Sequence, residues 1–153
     1  MTATPSNFQG TMFPLDRVRT RLAVLWLVGS GLIVFTLVLQ SLFGKFSSGV
    51  QEVWGWALPT IMPTLGMILT VLGYTALDPN YSKTEVRASF YAIAWWLSLV
   101  YLILVLLTIW IQPFVSAEPI QLMRLSNLWL GPFQGLVASA LGVLFVSRKR
   151  KQP

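Results

Sequence analysis

The sequence contains no cysteine and no histidine among its 153 residues. Without cysteine the chain can form no disulfide, no thiolate nucleophile and no thiolate metal site, and it offers no sulfur for lipid attachment. Without histidine it lacks the commonest general base, transition-metal ligand and haem ligand. We therefore predict that the protein is not an enzyme, has no catalytic residues and binds neither a metal nor a cofactor.

Charged residues are also scarce. They make up 10% of the chain, against 55% hydrophobic residues and a mean hydropathy of +0.68, whereas soluble domains contain about 25% charged residues. The net charge of +6 arises from short basic clusters beside apolar runs, and not from a stripe that alternates with polar recognition residues. The composition predicts that the lipid bilayer, and not a nucleic acid, is the partner of these charges.

Four apolar stretches are long enough to cross a bilayer as helices, which takes about 20 residues each. They span residues 22–43, 53–77, 90–111 and 128–146, and none contains Lys, Arg, Asp or Glu. The sequence predicts an all-α membrane protein, with a four-helix transmembrane bundle over residues 13–147. Residues 1–12 are predicted to be a disordered cytoplasmic leader, and residues 148–153 a basic cytoplasmic tail.

The distribution of basic residues predicts the orientation, because Lys and Arg beside short spans are retained in the cytoplasm. Lys45 and Arg124 fall in the first and third loops. The other nine of the 11 basic residues share the opposite side: Arg17, Arg19, Arg21, Lys83, Arg87, Arg148, Lys149, Arg150 and Lys151. Both termini are therefore predicted to be cytoplasmic, and the compact loops favour the cytoplasmic membrane of a bacterium.

Tryptophans mark the predicted outer ends of the spans. Trp54, Trp56, Trp110 and Trp129 all lie there, and Trp favours the headgroup level, where its ring and its N–H are both accommodated. We interpret them as interface anchors. A ligand-stacking site at Trp54-Gly55-Trp56 is the alternative hypothesis.

Two loops carry local signals. Asp78-Pro79 should stop the second helix, and Ser82 with Glu85 has the spacing of a capping box that would begin the third. The third loop, residues 112–127, has a composition that suits a short helix lying in the outer interface.

Small residues form stripes along the second and fourth spans. In lipid, helices associate through close van der Waals contact, which small side chains permit, and spacings of three and four residues place the members on one helical face. The stripes predict helix packing or oligomerisation, with the protein itself or with another membrane protein. Their members are Gly55, Pro59, Pro63, Gly66, Thr70 and Gly73 in the second span, and Gly131, Gly135, Ala138 and Gly142 in the fourth.

Prolines 59 and 63 should kink the second span, because each removes a backbone donor and frees the carbonyl four residues earlier. Together with the hydroxyls of Thr60 and Thr64, the freed carbonyls could coordinate a cation or line a pore. In the alternative interpretation the hydroxyls bond their own backbone and the kink only shapes the bundle. Gln134 is expected to form an interhelical hydrogen bond, or else to contact a ligand.

The spans contain no ionisable group, which argues against a proton-coupled transporter, a voltage sensor or a pump. Two hypotheses from different classes remain. The first is a non-enzymatic oligomerising or accessory membrane subunit that associates through its small-residue faces. The second is a pore-forming or membrane-permeabilising effector, suggested by the kinked span and by a basic tail that suits anionic lipid. A small-solute carrier without proton coupling ranks third.

Overall fold

The computed structural model of the protein describes residues 12–46, 49–77, 85–114 and 118–146. Within these residues the chain is helical apart from one short ribbon. The four long helices are α1 (Leu15–Leu42), α2 (Val50–Leu77), α3 (Ala88–Trp110) and α4 (Pro119–Val146). Residues 1–11 of the predicted leader, and the predicted tail, lie outside the described residues.

Each helix is long and apolar enough to cross a membrane. The shortest, α3, has 23 residues, which at 1.5 Å per residue gives about 35 Å, more than the roughly 30 Å of a hydrocarbon core. The predicted bundle of four membrane-spanning helices is confirmed at this level. The helices also extend beyond the predicted spans: α1 begins seven residues before residue 22, and α4 nine residues before residue 128.

A two-stranded antiparallel ribbon lies where α1 and α3 begin. Strand β1 (Met12–Pro14) pairs with β2 (Glu85–Arg87), and Phe13 lies opposite Val86. The prediction that Glu85 belongs to the first turn of the third helix is wrong. Glu85 is in β2, and α3 begins at Ala88 with no side-chain cap, because the ladder of the ribbon takes up the backbone groups ahead of the helix. Ser82 lies outside the described residues.

Helices α2 and α4 both continue through their prolines. Helix α2 contains Pro59 and Pro63, and α4 contains Pro132. The prediction of a separate interfacial helix in the third loop is wrong, because residues 119–127 form the first turns of α4 itself. Helix α1 ends at Leu42 with Phe43 as its C-cap, and the next residue, Gly44, has a φ of +69°, a left-handed conformation that terminates helices.

The four helices pack as two parallel pairs. Trp26 of α1 stacks on Tyr101 of α3 with ring centroids 5.9 Å apart, and Gly29 lies against Leu102. Because residue numbers rise together along both helices, α1 and α3 run in the same direction. Helices α2 and α4 form the second parallel pair, antiparallel to the first, and the core between the pairs includes Ile33, Ile61, Val105 and Val137.

The outer surface of α1 is made of large apolar side chains. Val24, Val28, Leu32, Phe35 and Leu39 are all exposed, and their spacing of three or four residues places them on one face. In water such a continuous apolar ridge would be a liability. In a bilayer it is the surface that lipid chains contact.

Candidate functional site

A groove runs along the outside of the bundle between α2 and α4. It has a volume of about 320 Å³, and we call it the α2–α4 groove. Four of its lining residues belong to the predicted small-residue stripes: Pro63 of α2, and Gly131, Gly135 and Ala138 of α4. The other lining residues are Thr64, Met67 and Gln134. The fold therefore places part of each stripe beside the same groove.

The small-residue stripes point out of the bundle. The α2 members Gly55, Pro59, Pro63, Gly66, Thr70 and Gly73 are all exposed, as are Gly131 and Gly135 in α4, while Ala138 and Gly142 are partly buried. A Cβ atom built on any of the glycines in these stripes would meet no atom within 4 Å. The close approach that small residues permit is thus not used between α2 and α4 of one chain.

The carbonyls near the prolines of α2 accept hydrogen bonds from neighbouring helices. Pro63 frees the carbonyl of Pro59, and Gln134 Nε2 donates to that oxygen at 3.3 Å and to the carbonyl of Thr60 at 3.2 Å. The hydroxyl of Tyr101 donates to the same Thr60 carbonyl at 2.9 Å. Side chains of α3 and α4 therefore stabilise the segment of α2 that the prolines interrupt.

The two threonines of this segment differ in their hydrogen bonds. Thr60 Oγ1 donates to the carbonyl of Trp56 at 2.7 Å, a back-bond to its own helix. Thr64 is only 2% exposed, yet its hydroxyl bonds no residue that the structure describes. The carbonyl it would normally use, that of Thr60, already accepts from Tyr101 and Gln134.

A second, more polar pocket of about 270 Å³ lies between the first turns of α2 and α4. We call it the outer pocket, and Glu52, Gly55, Arg124 and Asn127 are among its lining residues. Arg124 forms an ion pair with Glu52 at 3.3 Å, and both side chains are more than half exposed. Such an exposed pair contributes little to stability, so its charges remain available at the surface.

The four predicted anchor tryptophans fall in different environments. Trp110 and Trp129 are 59% and 49% exposed, and Trp54 is partly buried. Trp56 is buried and donates from Nε1 to the hydroxyl of Ser126 at 3.1 Å. Trp56 therefore satisfies its N–H within the protein and not at the headgroup level.

The opposite end of the bundle is closed by Arg19. Its side chain is 2% exposed, and it donates from Nε to the carbonyl of Leu144 and from Nη2 to that of Phe145, both at 2.9 Å. These carbonyls belong to the last described turn of α4, and the carboxyl end of a helix favours a cation. Arg19 thus joins the first helix to the last.

Arg19 and Tyr101 are important contacts that the sequence did not single out. Arg19 was counted only as a topology signal, although it shares a face with Leu15, Leu22 and Trp26 at spacings of four, three and seven residues. Tyr101 belongs to a buried stripe of α3, Ala94, Ser98, Tyr101, Val105 and Thr108, with spacings of three and four. In both cases the spacing of apolar and buried residues along the helix could have identified the residue as one that faces the inside of the bundle.

The fold and the site define a multi-pass membrane protein built as a helix bundle. Comparisons with models of protein families, with characterised proteins and with solved structures gave no match to this chain. Among the described residues no group of acidic side chains could hold a metal ion. What the α2–α4 groove offers is a largely apolar surface with small residues, together with the hydroxyl of Thr64 and the amide of Gln134.

Proposed function

We propose that the protein is a non-catalytic membrane subunit that associates, through the small-residue faces of α2 and α4, with copies of itself or with another membrane protein. The observation that carries this proposal is that the α2 stripe and the glycines Gly131 and Gly135 of the α4 stripe are exposed on the outside of the bundle, beside a groove that Pro63, Gly131, Gly135 and Ala138 help to line. Small residues in membrane helices permit close backbone approach. A chain that used them only for its own folding would bury them between its own helices.

The proposal includes an orientation and a place. We infer that both termini are cytoplasmic, in line with the nine basic residues on that side, and that the membrane is the cytoplasmic membrane of a bacterium. We also infer that α2 bends at Pro59 and Pro63, where two ladder donors are missing. Such a bend would open α2 toward the groove.

The pore-forming effector is less well supported than the subunit. The prolines free the carbonyls of Gly55 and Pro59, and that of Pro59, like the neighbouring carbonyl of Thr60, already accepts a hydrogen bond from Gln134. The hydroxyl of Thr60 is also engaged with its own helix. The pore hypothesis and the solute-carrier hypothesis stay predictions from the sequence.

The test is the size of the particle extracted in mild detergent. In the double variant Gly66→Leu, Gly135→Leu, the new side chains would lie on the exposed face without clashing inside the chain. A Cβ atom built on either glycine would meet no atom of a neighbouring element within 4 Å. We expect the wild-type particle to contain more than one chain and the variant particle to contain one. Light scattering coupled to gel filtration measures both.

Gly31→Leu is the matched control. Gly31 is an exposed glycine of α1 with equally open surroundings, so this variant makes the same chemical change on a different face. It should keep the wild-type size. A double variant that remains as large as the wild type would contradict the proposal.

A further inference from the structure

The Thr64 hydroxyl belongs to a residue that lines the α2–α4 groove, and the chain does not use it in a hydrogen bond among the described residues. The residue is 2% exposed and lines the groove, and the hydroxyl bonds no described residue. A polar group that remains without a partner in an apolar environment costs free energy. The hydroxyl is therefore available to an occupant of the groove.

Gln134 supplies the complementary group on α4. Its Nε2 donates to backbone carbonyls of α2, but its Oε1 accepts no hydrogen bond from any residue in the described part of the chain. Both residues line the groove. The groove thus presents a donor on α2 and an acceptor on α4 at the same depth.

The outer pocket repeats this arrangement with charges. Glu52 lies on α2 and Arg124 on α4, and both are exposed. At two depths, therefore, one member of a complementary pair lies on α2 and the other on α4. A surface of this kind is complementary to itself when α2 of one molecule faces α4 of another.

Membrane topology determines how two copies can meet. Copies that insert by the same charge rule have the same orientation, so a two-fold axis between them must lie along the bilayer normal. Rotation about that axis preserves depth, and it sets α2 against α4 of the second copy. Because α2 and α4 are parallel within one chain, residues of equal depth then meet.

We propose that the occupant of the α2–α4 groove is a second copy of this chain, in a two-fold dimer in which α2 of each copy packs against α4 of the other. Thr64 donates to Gln134 of the second copy, Glu52 pairs with its Arg124, and both bonds occur twice, as an isologous interface requires. The glycines of the stripes allow the backbones to approach. This inference rests on the proposed function and names its partner.

The test uses the absence of cysteine in the natural chain. Met67→Cys is placed in a copy with one affinity tag and Ala138→Cys in a copy with another, since both residues line the groove one turn beyond Thr64 and Gln134. The two copies are co-expressed and oxidised with copper phenanthroline in native membranes. We expect a mixed-tag disulfide at a yield roughly tenfold above that of a Gly31→Cys pair, because an interface raises the effective concentration of the thiols.

Thr64→Val tests the hydrogen bond itself. Valine keeps the shape of the side chain, and two lost interhelical bonds per dimer should raise the dissociation constant about tenfold. Thr36→Val in α1 is the matched control outside the proposed interface, since the Thr36 hydroxyl already donates to the carbonyl of Leu32. Its dissociation constant should stay that of the wild type.

The outcomes separate this inference from the proposed function. In one outcome, the wild-type particle contains several chains, the double variant Gly66→Leu, Gly135→Leu contains one, and no mixed-tag disulfide forms. This result would mean that the partner is a different protein, and it would overturn the dimer alone. Crosslinking of Met67→Cys to itself in preference to Ala138→Cys would overturn the pairing of α2 with α4. A single chain in the wild-type extract would overturn both.

Discussion

At the scale of single residues, Arg19 shows how the surroundings of a charge decide its role. Arg17 and Arg21, two residues away on either side, are exposed, as expected of residues that only signal topology. Arg19 is rotated to the opposite face of α1, where its guanidinium donates to two carbonyls that end α4. It also lies over the ring of Phe145, 5.9 Å from the centroid, so charge and stacking act at the same contact.

Replacing Arg19 by Met should therefore destabilise the bundle by about 2 to 3 kcal/mol, since buried hydrogen bonds from a charged donor are lost and their acceptors remain. Arg19→Lys should recover only part of this loss, because an ammonium lacks the planar fork that reaches two carbonyls. Unfolding by SDS titration from mild micelles measures the change. Arg21→Met is the control, and equal losses for Arg19→Met and Arg21→Met would refute the role given to Arg19.

At the scale of elements, two glycines of α1 distinguish its inner face from its lipid face. A Cβ on Gly29 would lie 2.7 Å from Cδ1 of Leu102 in α3, whereas one on Gly31 would meet nothing within 4 Å. At this contact between the parallel helices α1 and α3, Gly29 leaves room for Leu102. The tight helix contact inside the bundle thus depends on Gly29, and not on the longer stripes of α2 and α4.

Gly29→Val should lower the free energy of unfolding by about 1 to 3 kcal/mol through overpacking. Gly31→Val should change it by no more than about 0.5 kcal/mol. Leu102→Ala, added to Gly29→Val, should relieve the clash, so the two changes together should cost less than the sum of their separate effects. The same SDS titration, carried through the double-mutant cycle, provides these values. Strictly additive losses would show that Gly29 and Leu102 do not interact.

These elements also show what the sequence could predict. Hydrophobic length alone predicted the four helices, because the bilayer imposes that length on any chain. It could not predict the ribbon of Met12–Pro14 with Glu85–Arg87, since the pairing joins residues more than 70 positions apart and neither strand has enough residues to show a period. The start of α3 was misplaced for the same reason.

The sequence predicted which small residues share a helical face, but not whether that face lies inside or outside the bundle. Spacing placed the small residues on one face of each helix. Whether that face would turn inward or outward depended on which helices pair, and α2 pairs with α4 through contacts such as Trp56 with Ser126 and Gln134 with Pro59. No periodicity within α2 specifies those partners.

At the scale of the whole molecule, the surface of the bundle has two contrasting sides. Large side chains such as Val28 and Phe35 cover α1, while two glycines, Pro63 and the polar side chains of Thr64 and Gln134 are among the residues that line the groove between α2 and α4. Lipid chains adapt to a surface of large side chains, whereas small-residue grooves favour another protein. This contrast is the basis for the proposal that the α1 side contacts lipid and the α2–α4 side contacts a partner.

The proposed orientation predicts the labelling of single cysteines in a chain that has none of its own. Gln51 at the start of α2 and Glu85 in β2 are both exposed and lie at opposite ends of the bundle. We expect a membrane-impermeant maleimide to label Gln51→Cys in intact cells and Glu85→Cys only after permeabilisation, because basic flanks stay in the cytoplasm. The reverse pattern would show that the chain is inserted the other way.

The contact between Arg19 and the last turn of α4 also has a consequence for biogenesis. Arg19 is made before the carbonyls of Leu144 and Phe145, which follow more than 120 residues later. The bonds that join α1 and α4 can therefore form only after residue 145 has been made. A chain that stalls before residue 144 would contain α1, α2 and α3 but would lack the contact of Arg19 with α4, so the bundle would stay open at this end.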